Sequence, residues 1–431
     1  MRGAIAMKNR GILFALAGTC ILSLCSCGTS GNQDNRQVLD MGKKTTEEAT
    51  EASTTADTEE ILSEADEATI IRRAKYADAV ARFYYAGEWP DGTILEGFNW
   101  DEMHENQYAI CDIDSDGIEE LILSDTQTSV AGMMEGIFQY DIETGQMRQE
   151  FLEYPAVTYL SNGYVEVLWA HNQGVTTDMW PFNVHRYDAQ TDTYEYIASV
   201  DSWNKEEFPE DYDGTPFPDE YDADGDGNIY YVRPNGGERQ PMDNAEFEAW
   251  RNGIEQGAAP INVTYRTDND DTLKSYTDAY KKLCYQKYTQ VYGDAVGDLG
   301  LRFLQADAVD VQDFKEELEN RYGLSFTVED EYGDREVGSL DGQSPIILDY
   351  MNATSLTYQE TPVEDLTIFG IYPGVSEETA LERLQTAGFY ASELEDGYIT
   401  GDMWGHVCVW LDVEDGIVKA ISIRTYCSYA G

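Results

Sequence analysis

Basic residues are scarce in this chain: 28 Lys and Arg stand against 82 Asp and Glu, a formal charge of −54 over 431 residues. A surface so one-signed repels nucleic acid and anionic headgroups and gathers cations instead. Histidine is scarcer still, with only His104, His171, His185 and His406, and none of them sits in a zinc-ligand spacing. No Gly-x-Ser-x-Gly elbow and no glycine-rich phosphate loop after a strand occurs, which removes two common signatures of hydrolases and nucleotide binders. Paired-carboxylate hydrolysis survives this elimination, because acids are in excess. Beyond residue 27 the cysteines are Cys111, Cys284, Cys408 and Cys427, scattered and without a C-x-x-C pair; all four read as buried small apolar residues. What is present is a core: 42% hydrophobic and 12% aromatic residues, with 30 Tyr, are too many for a purely disordered chain. The length suffices for two or three domains.

The N-terminus points to a compartment. Lys8 and Arg10 precede the apolar run "ILFALAGTCILSL", which is too short to span a bilayer and reads as the apolar region of a signal peptide. The run ends in "LCSCG" and resembles bacterial lipoprotein signal peptides, in which a small residue precedes an acylated cysteine. The resemblance implies that residues 1–27 are the lipoprotein signal, that Cys27, preceded by Ser26, carries the lipid, and that the protein sits at the cell membrane facing outward. A plain secretory signal cut nearby is the alternative. Residues 28–66, with "TTEEATEASTTADTEE" at their centre, have too few large apolar side chains to offset chain entropy and read as a disordered acidic linker.

Residues 67–290 read as a β-rich domain with flanking helices. Ile70, Ala74, Ala77, Val80, Ala81 and Tyr84 recur at helical spacing, and Gly87 and Pro90 close the pattern. The period then changes. "GIFQYDIETGQMRQEF", "AVTYLSNGYVEVLWA" and "FNVHRYDAQTDTYEYIASV" each read as a hairpin, together an antiparallel meander. The first and third are related, with Tyr140-Asp141 and Tyr187-Asp188 at equivalent points.

The densest chemical signal is "CDIDSDGIEEL". Asp112, Asp114 and Asp116 alternate at loop positions 1, 3 and 5, Gly117 permits the sharp turn, the carbonyl of Ile118 falls at position 7 and Glu120 at 9. Calcium takes six to eight oxygen ligands in flexible geometry, which such a loop supplies. Leu123 at position 12 and strand-like flanks argue against an EF-hand. The segment resembles the D-x-D-x-D-G-x-x-[DE]-L calcium loops found between strands in extracellular repeat proteins and in uncharacterised surface lipoproteins of Gram-positive bacteria. The competing reading is an acidic turn without an ion. A second loop, "DADGDGNIYYV", repeats the pattern with Asp222, Asp224, Asp226 and the backbone of Asn228, but Tyr230 stands at position 9. Either a distant acid completes its shell or it is a simple turn. Between Asp201 and Asp226 there are eleven acids and one base, Lys205.

Beyond it, "MDNAEFEAWRNGIEQG" predicts a helix capped at Asp243 or Asn244, and "TLKSYTDAYKKLCYQKYTQVYG" a second with an aromatic core stripe. Residues 291–363 connect, with unclear membership. Residues 364–431 read as a small α+β domain: a helix capped by Ser376, then a hairpin around a three-residue Glu414-Asp415-Gly416 loop pairing Val413 with Ile417 and Cys408 with Ser422. The order P-G-x-S-x-x-x-A-x-x-x-L followed by strands resembles the small lipoprotein domains related to β-lactamase-inhibitory protein, which implies a protein-binding role.

A last polar cluster, "WAHNQGVTTDMW", places His171, Asn172, Gln173 and Asp178 between Trp169 and Trp180. It reads first as a polar hairpin end with core tryptophans and second as a carbohydrate-binding or carbohydrate-active site. The sequence thus predicts an α+β protein, an antiparallel meander domain plus a small C-terminal domain, anchored to the membrane by lipid. It is expected to hold calcium and to bind an extracellular protein or glycan.

Overall fold

The computed structural model describes residues 64–95, 105–130, 132–171, 179–211, 213–267, 271–295, 297–305, 309, 312–329, 333–350, 355–391, 397–401 and 406–426. Cys27 and residues 1–63 of the signal and linker lie outside them, as do Asn172, Gln173, Asp178 and Cys427. The fold is α+β with antiparallel sheets. No helix among the described residues is long and apolar enough to cross a membrane.

The first layer is helix α1 (Glu64–Ala86). Its C-terminal half is buried on nearly every side through Tyr76, Ala77, Val80, Phe83 and Tyr84. It lies on a four-stranded sheet in the order β1 (Gln107–Cys111), β2 (Glu120–Asp125), β3 (Met134–Asp141), β4 (Gln146–Glu153). Strand β2 is buried along its whole length because both faces are covered. Side chains alternate across a strand, so Leu121 and Leu123 pack toward α1 with Tyr108 and Phe138, while Ile122 joins Ile137 and Phe151 on the opposite face.

That opposite face meets a second sheet. Strands β5 (Val157–Tyr159), β6 (Tyr164–Leu168), β7 (Phe182–Asp188), β8 (Thr193–Asn204), β9 (Asn228–Pro234) and β10 (Gln240–Met242) form a sequential antiparallel meander that includes the expected hairpins. Tyr159, Val165 and Val167 share a core with Ile122, Ile137 and Phe151, an apolar seam between the sheets. Helix α2 (Asn244–Glu255) covers the outer strands through Phe247 and Ile254, and Tyr230 stacks on Phe247 with centroids 4.3 Å apart.

Helix α3 (Thr272–Tyr292) belongs to two cores. Leu273 and Tyr276 pack with α1, whereas Cys284 and Tyr288 sit in the core of the C-terminal part. That core is closed by α4 (Gly300–Gln305), α5 (Gln312–Tyr322), α6 (Glu377–Thr386) and an eight-stranded sheet. The sheet's strands are β11 (Ser325–Val328), β12 (Arg335–Leu340), β13 (Gln343–Asp349), β14 (Ser355–Gln359), β15 (Tyr390–Ala391), β16 (Tyr398–Ile399), β17 (His406–Glu414) and β18 (Ile417–Tyr426). Their order is β11-β12-β13-β14-β18-β17-β16-β15. Because β14 pairs with β18, strands β11 to β14, in a segment that the sequence left without a domain, lie in the same sheet as the C-terminal hairpin. Residues 61–431 form one compact unit.

Two expectations are corrected here. The C-terminal hairpin turns on two residues, Asp415 at φ 53° and Gly416 at φ 71°, so Glu414 pairs with Ile417. A bulge between Asp412 and Val413 then sets Val409 opposite Ile423 and Cys408 opposite Arg424 instead of Ser422. Two left-handed residues in succession match the strand twist better than the expected three-residue loop. The shift is even, so the apolar face is kept. The second correction is Cys111, which is half-buried at the end of β1, unlike the buried Cys284 and Cys408.

Candidate metal centre

The first acidic loop joins β1 to β2, and its backbone is shaped by its own carboxylates. Gly117 donates its N–H to Asp112 Oδ2 (3.2 Å), Asp116 to Asp114 Oδ1 (3.0 Å) and Ile118 to Asp116 Oδ1 (2.6 Å). Ser115 at φ 67° and Gly117 at φ 93° take the left-handed turns that wrap the loop on itself. Oxygens of Asp112, Asp114 and Glu120 lie within 4.8 Å of one another, and so do oxygens of Asp114, Asp116 and Asp192. The Asp114 Oδ2 atom is buried and accepts no hydrogen bond. Ile118, at position 7, is half-buried.

Glu119 and Glu120 part company where β2 begins. Glu119 turns to α1, where Arg73 grips it through two bonds of 2.7 Å and Tyr76 donates to its carbonyl (2.6 Å). Glu120 turns the other way, into the seam between the sheets, and is 0% exposed. It accepts the N–H of Ile113 (2.9 Å) and the amide of Gln139 (3.4 Å). Burial, against those hydrogen bonds and reinforced by Asp114, pushes its carboxyl up to about 8. Glu150, the extra residue of a bulge in β4, is also buried there. Burial, with Asp192 and Glu120 nearby and Arg148 opposing, pushes it up to about 9. Carboxylates brought together without a cation repel and favour their protonated forms.

The donors are all hard oxygens, with no imidazole or thiolate among them, a set that suits hard cations such as calcium, magnesium or manganese. Asp112, Asp114 and Glu120 would hold the ion, with Asp116 and Asp192 adjoining. Sequence reasoning found every one of these except Asp192, which comes from the β7–β8 turn of the other sheet and has no motif of its own.

The second loop, between β8 and β9, repeats the first bond for bond. Gly227 donates to Asp222 Oδ2 (3.1 Å), Asp226 to Asp224 Oδ1 (3.0 Å) and Asn228 to Asp226 Oδ1 (2.7 Å). The acid absent at position 9 has a replacement: oxygens of Asp222, Asp224 and Asp243 lie within 4.8 Å of one another. Asp226 is outside this cluster, and the Asn228 side chain, as distinct from its backbone at position 7, accepts from Asn204 (2.7 Å). Asp243 sits at the N-cap of α2 in extended conformation yet makes no capping bond, and its Oδ1 atom and Asp222 Oδ1 are buried without partners.

The third sequence candidate is only partly described. His171 is exposed, and Trp180 is 48% exposed rather than a core residue, while Trp169 is half-buried. Trp180 donates its ring N–H to the Trp169 carbonyl (2.7 Å), and Trp169 donates to Asn183 Oδ1 (2.9 Å). Both ring donors are thus satisfied within the protein, and the Trp180 ring lies at the surface. No family model, no curated protein and no solved structure matches the chain.

Proposed function

We propose that this chain is an exported lipoprotein, anchored to the cell membrane through Cys27, whose ordered body is held in shape by calcium and acts outside the cell by binding rather than catalysis. The observation that carries the calcium part is the convergence of Asp112, Asp114 and Glu120 oxygens around a buried Asp114 oxygen that accepts no hydrogen bond. A buried anionic oxygen without a partner costs stability, and a bound cation removes that cost. The anchor rests on the "LCSCG" signal, and the acidic stretch behind it suits a spacer between membrane and folded body. The partner is an extracellular protein or glycan.

Thermal unfolding with excess calcium and with chelator tests the ion. A bound ion raises the midpoint by mass action, and Asp114→Ala removes the rise. An unchanged midpoint in the parent protein refutes the calcium reading. Metabolic labelling with an acyl-chain probe tests the anchor, and label retained in Cys27→Ala refutes it. One observation favours glycan as the partner: an exposed Trp180 ring suits stacking on a sugar. Retention on a glycan array, abolished in Trp180→Ala, selects that reading.

A further inference from the structure

The hairpins β3–β4 and β7–β8 are built alike. In one turn Gly145 donates to the Asp141 carbonyl (2.8 Å) and Glu143 to Asp141 Oδ1 (2.8 Å). In the other Asp192 donates to the Asp188 carbonyl (2.8 Å) and Gln190 to Asp188 Oδ1 (2.9 Å). The closing residue is left-handed in both, Gly145 at φ 71° and Asp192 at φ 54°. Glycine takes that conformation freely and aspartate does not. The backbone of the turn therefore does not require aspartate at 192, whose carboxylate is held instead by Tyr187 and Arg148.

The carboxylate faces the first acidic loop across the gap between the two sheets. One of its oxygens lies within 4.8 Å of oxygens from Asp114 and Asp116. The Tyr187 hydroxyl donates to Asp192 Oδ1 (2.6 Å) and also neighbours Asp114. A phenol has one proton to donate, so it satisfies one of these two acids at a time.

A further carboxyl, buried and only half satisfied, stands beside them. Glu150 is 4% exposed, and its Oε2 atom has no hydrogen-bond partner. Its other oxygen accepts from Arg148 Nη2 (3.0 Å), the same nitrogen that pairs with Asp192 Oδ2 and reaches Gln139 Oε1 (2.9 Å). One guanidinium is thus shared between two carboxyl groups, and the buried Glu150 Oε2 atom is left without a hydrogen-bond partner.

We propose that Asp192 is a ligand of the ion held by the first loop, so that calcium staples the four-stranded sheet to the six-stranded sheet. This rests on the calcium reading above and deepens it: the ion joins two sheets in addition to ordering a loop. The apolar seam of Ile122, Ile137, Phe151, Val165 and Val167 would then be closed at one end by the ion. At its other end Tyr159 and Tyr265 each donate to Glu135 Oε1 at 2.8 Å.

The test is calcium titration calorimetry and hydrogen exchange on the full chain in an Asp224→Ala background, which silences the second loop. Asp192→Asn keeps the shape of the side chain, and Asp192→Gly copies the sister turn, so between them the carboxylate is separated from the turn's backbone. Each is expected to weaken calcium binding by at least about tenfold, since affinity follows the ligands' charge. Calcium should also protect the amides of residues 188–193 in the parent and not in either variant. Equal affinity in parent and Asp192→Gly, without calcium-dependent protection of that turn, overturns the staple and leaves a self-contained loop site. A parent chain that binds no calcium overturns the underlying reading as well, and so the two failures are distinguishable.

Discussion

The two acidic loops have the same backbone and different surroundings. Ser115 and Gly117 in the first match Gly225 and Gly227 in the second, with left-handed φ of 67° and 93° against 76° and 80°. Each loop closes on the same three carboxylate-to-amide bonds. They differ in where the remaining acids come from. The first keeps Glu120 in its own motif, buries it in the seam between two sheets and meets Asp192 from the far side. The second lies at the surface, lacks the position-9 acid and meets Asp243 at the start of a helix. A short motif can therefore dictate a loop's shape while its neighbours dictate the number and burial of the carboxylates around it. The first loop should accordingly matter to the stability of the whole body and the second mainly to itself.

The largest expected effect follows from that difference. With calcium at about a hundredfold excess over Kd, mass action stabilises the folded chain by roughly 2.7 kcal/mol, and on the order of 5 °C in midpoint. Asp114→Ala should forfeit nearly all of this and Asp224→Ala only a minor part. Equal losses in differential scanning calorimetry would erase the distinction between the loops.

A smaller effect sharpens the role of Asp243. Among the described residues Asp243, Asp271 and Ser376 stand at helix N-caps, but only Ser376 caps: its Oγ accepts the N–H of Thr379 (3.2 Å), while Asp243 and Asp271 make no such bond. Ser376→Ala should cost about 1 kcal/mol, as the loss of an N-cap does. Asp243→Ala measured with chelator should cost less than about 0.5 kcal/mol, within the range of ordinary surface substitutions. Its effect should appear as one calcium fewer in the titration. A full capping cost at Asp243, with stoichiometry unchanged, would return it to a structural role.

The smallest effect compares the two ends of the seam. Burial raises the Glu135 carboxyl above its ordinary range despite hydrogen bonds from Tyr159, Tyr265 and Ser124. An acid whose folded pKa exceeds its unfolded value holds its proton more tightly in the folded state. Its contribution is therefore complete below the ordinary glutamate range and is lost as pH rises through the folded value. Glu135→Gln keeps an acceptor for the tyrosines and removes the titration, so the decline of the midpoint above the glutamate range should become shallower. An unchanged slope would show that Glu135 does not contribute to it.

Much of this was legible in the chain itself. The hairpins β3–β4, β5–β6 and β7–β8 follow from period-2 arms around turn residues, and α1 and α2 from apolar spacing and their stops. Both acidic loops are visible because their shaping residues are adjacent in sequence. The C-terminal hairpin was misjudged by two positions, one because Asp415 takes a left-handed turn that a sequence does not require of aspartate and one because of the bulge between Asp412 and Val413. Trp180 was expected in the core, but its ring N–H is used by the Trp169 carbonyl and its ring stays outside. The one trace of Asp192 was the kinship of "QYDIETG" and "RYDAQTD", in which the second copy puts aspartate where the first ends in glycine.

Local order of residues determined the strands, the helices, the acidic loops and the strong negative charge, because each depends on neighbours within a few positions. Tertiary structure alone decided that α3 would serve two cores, that β14 would pair with β18, and that Asp192 and Asp243 would reach the two loops. Those outcomes depend on which apolar faces bury each other, and packing brings together groups that no sequence spacing relates.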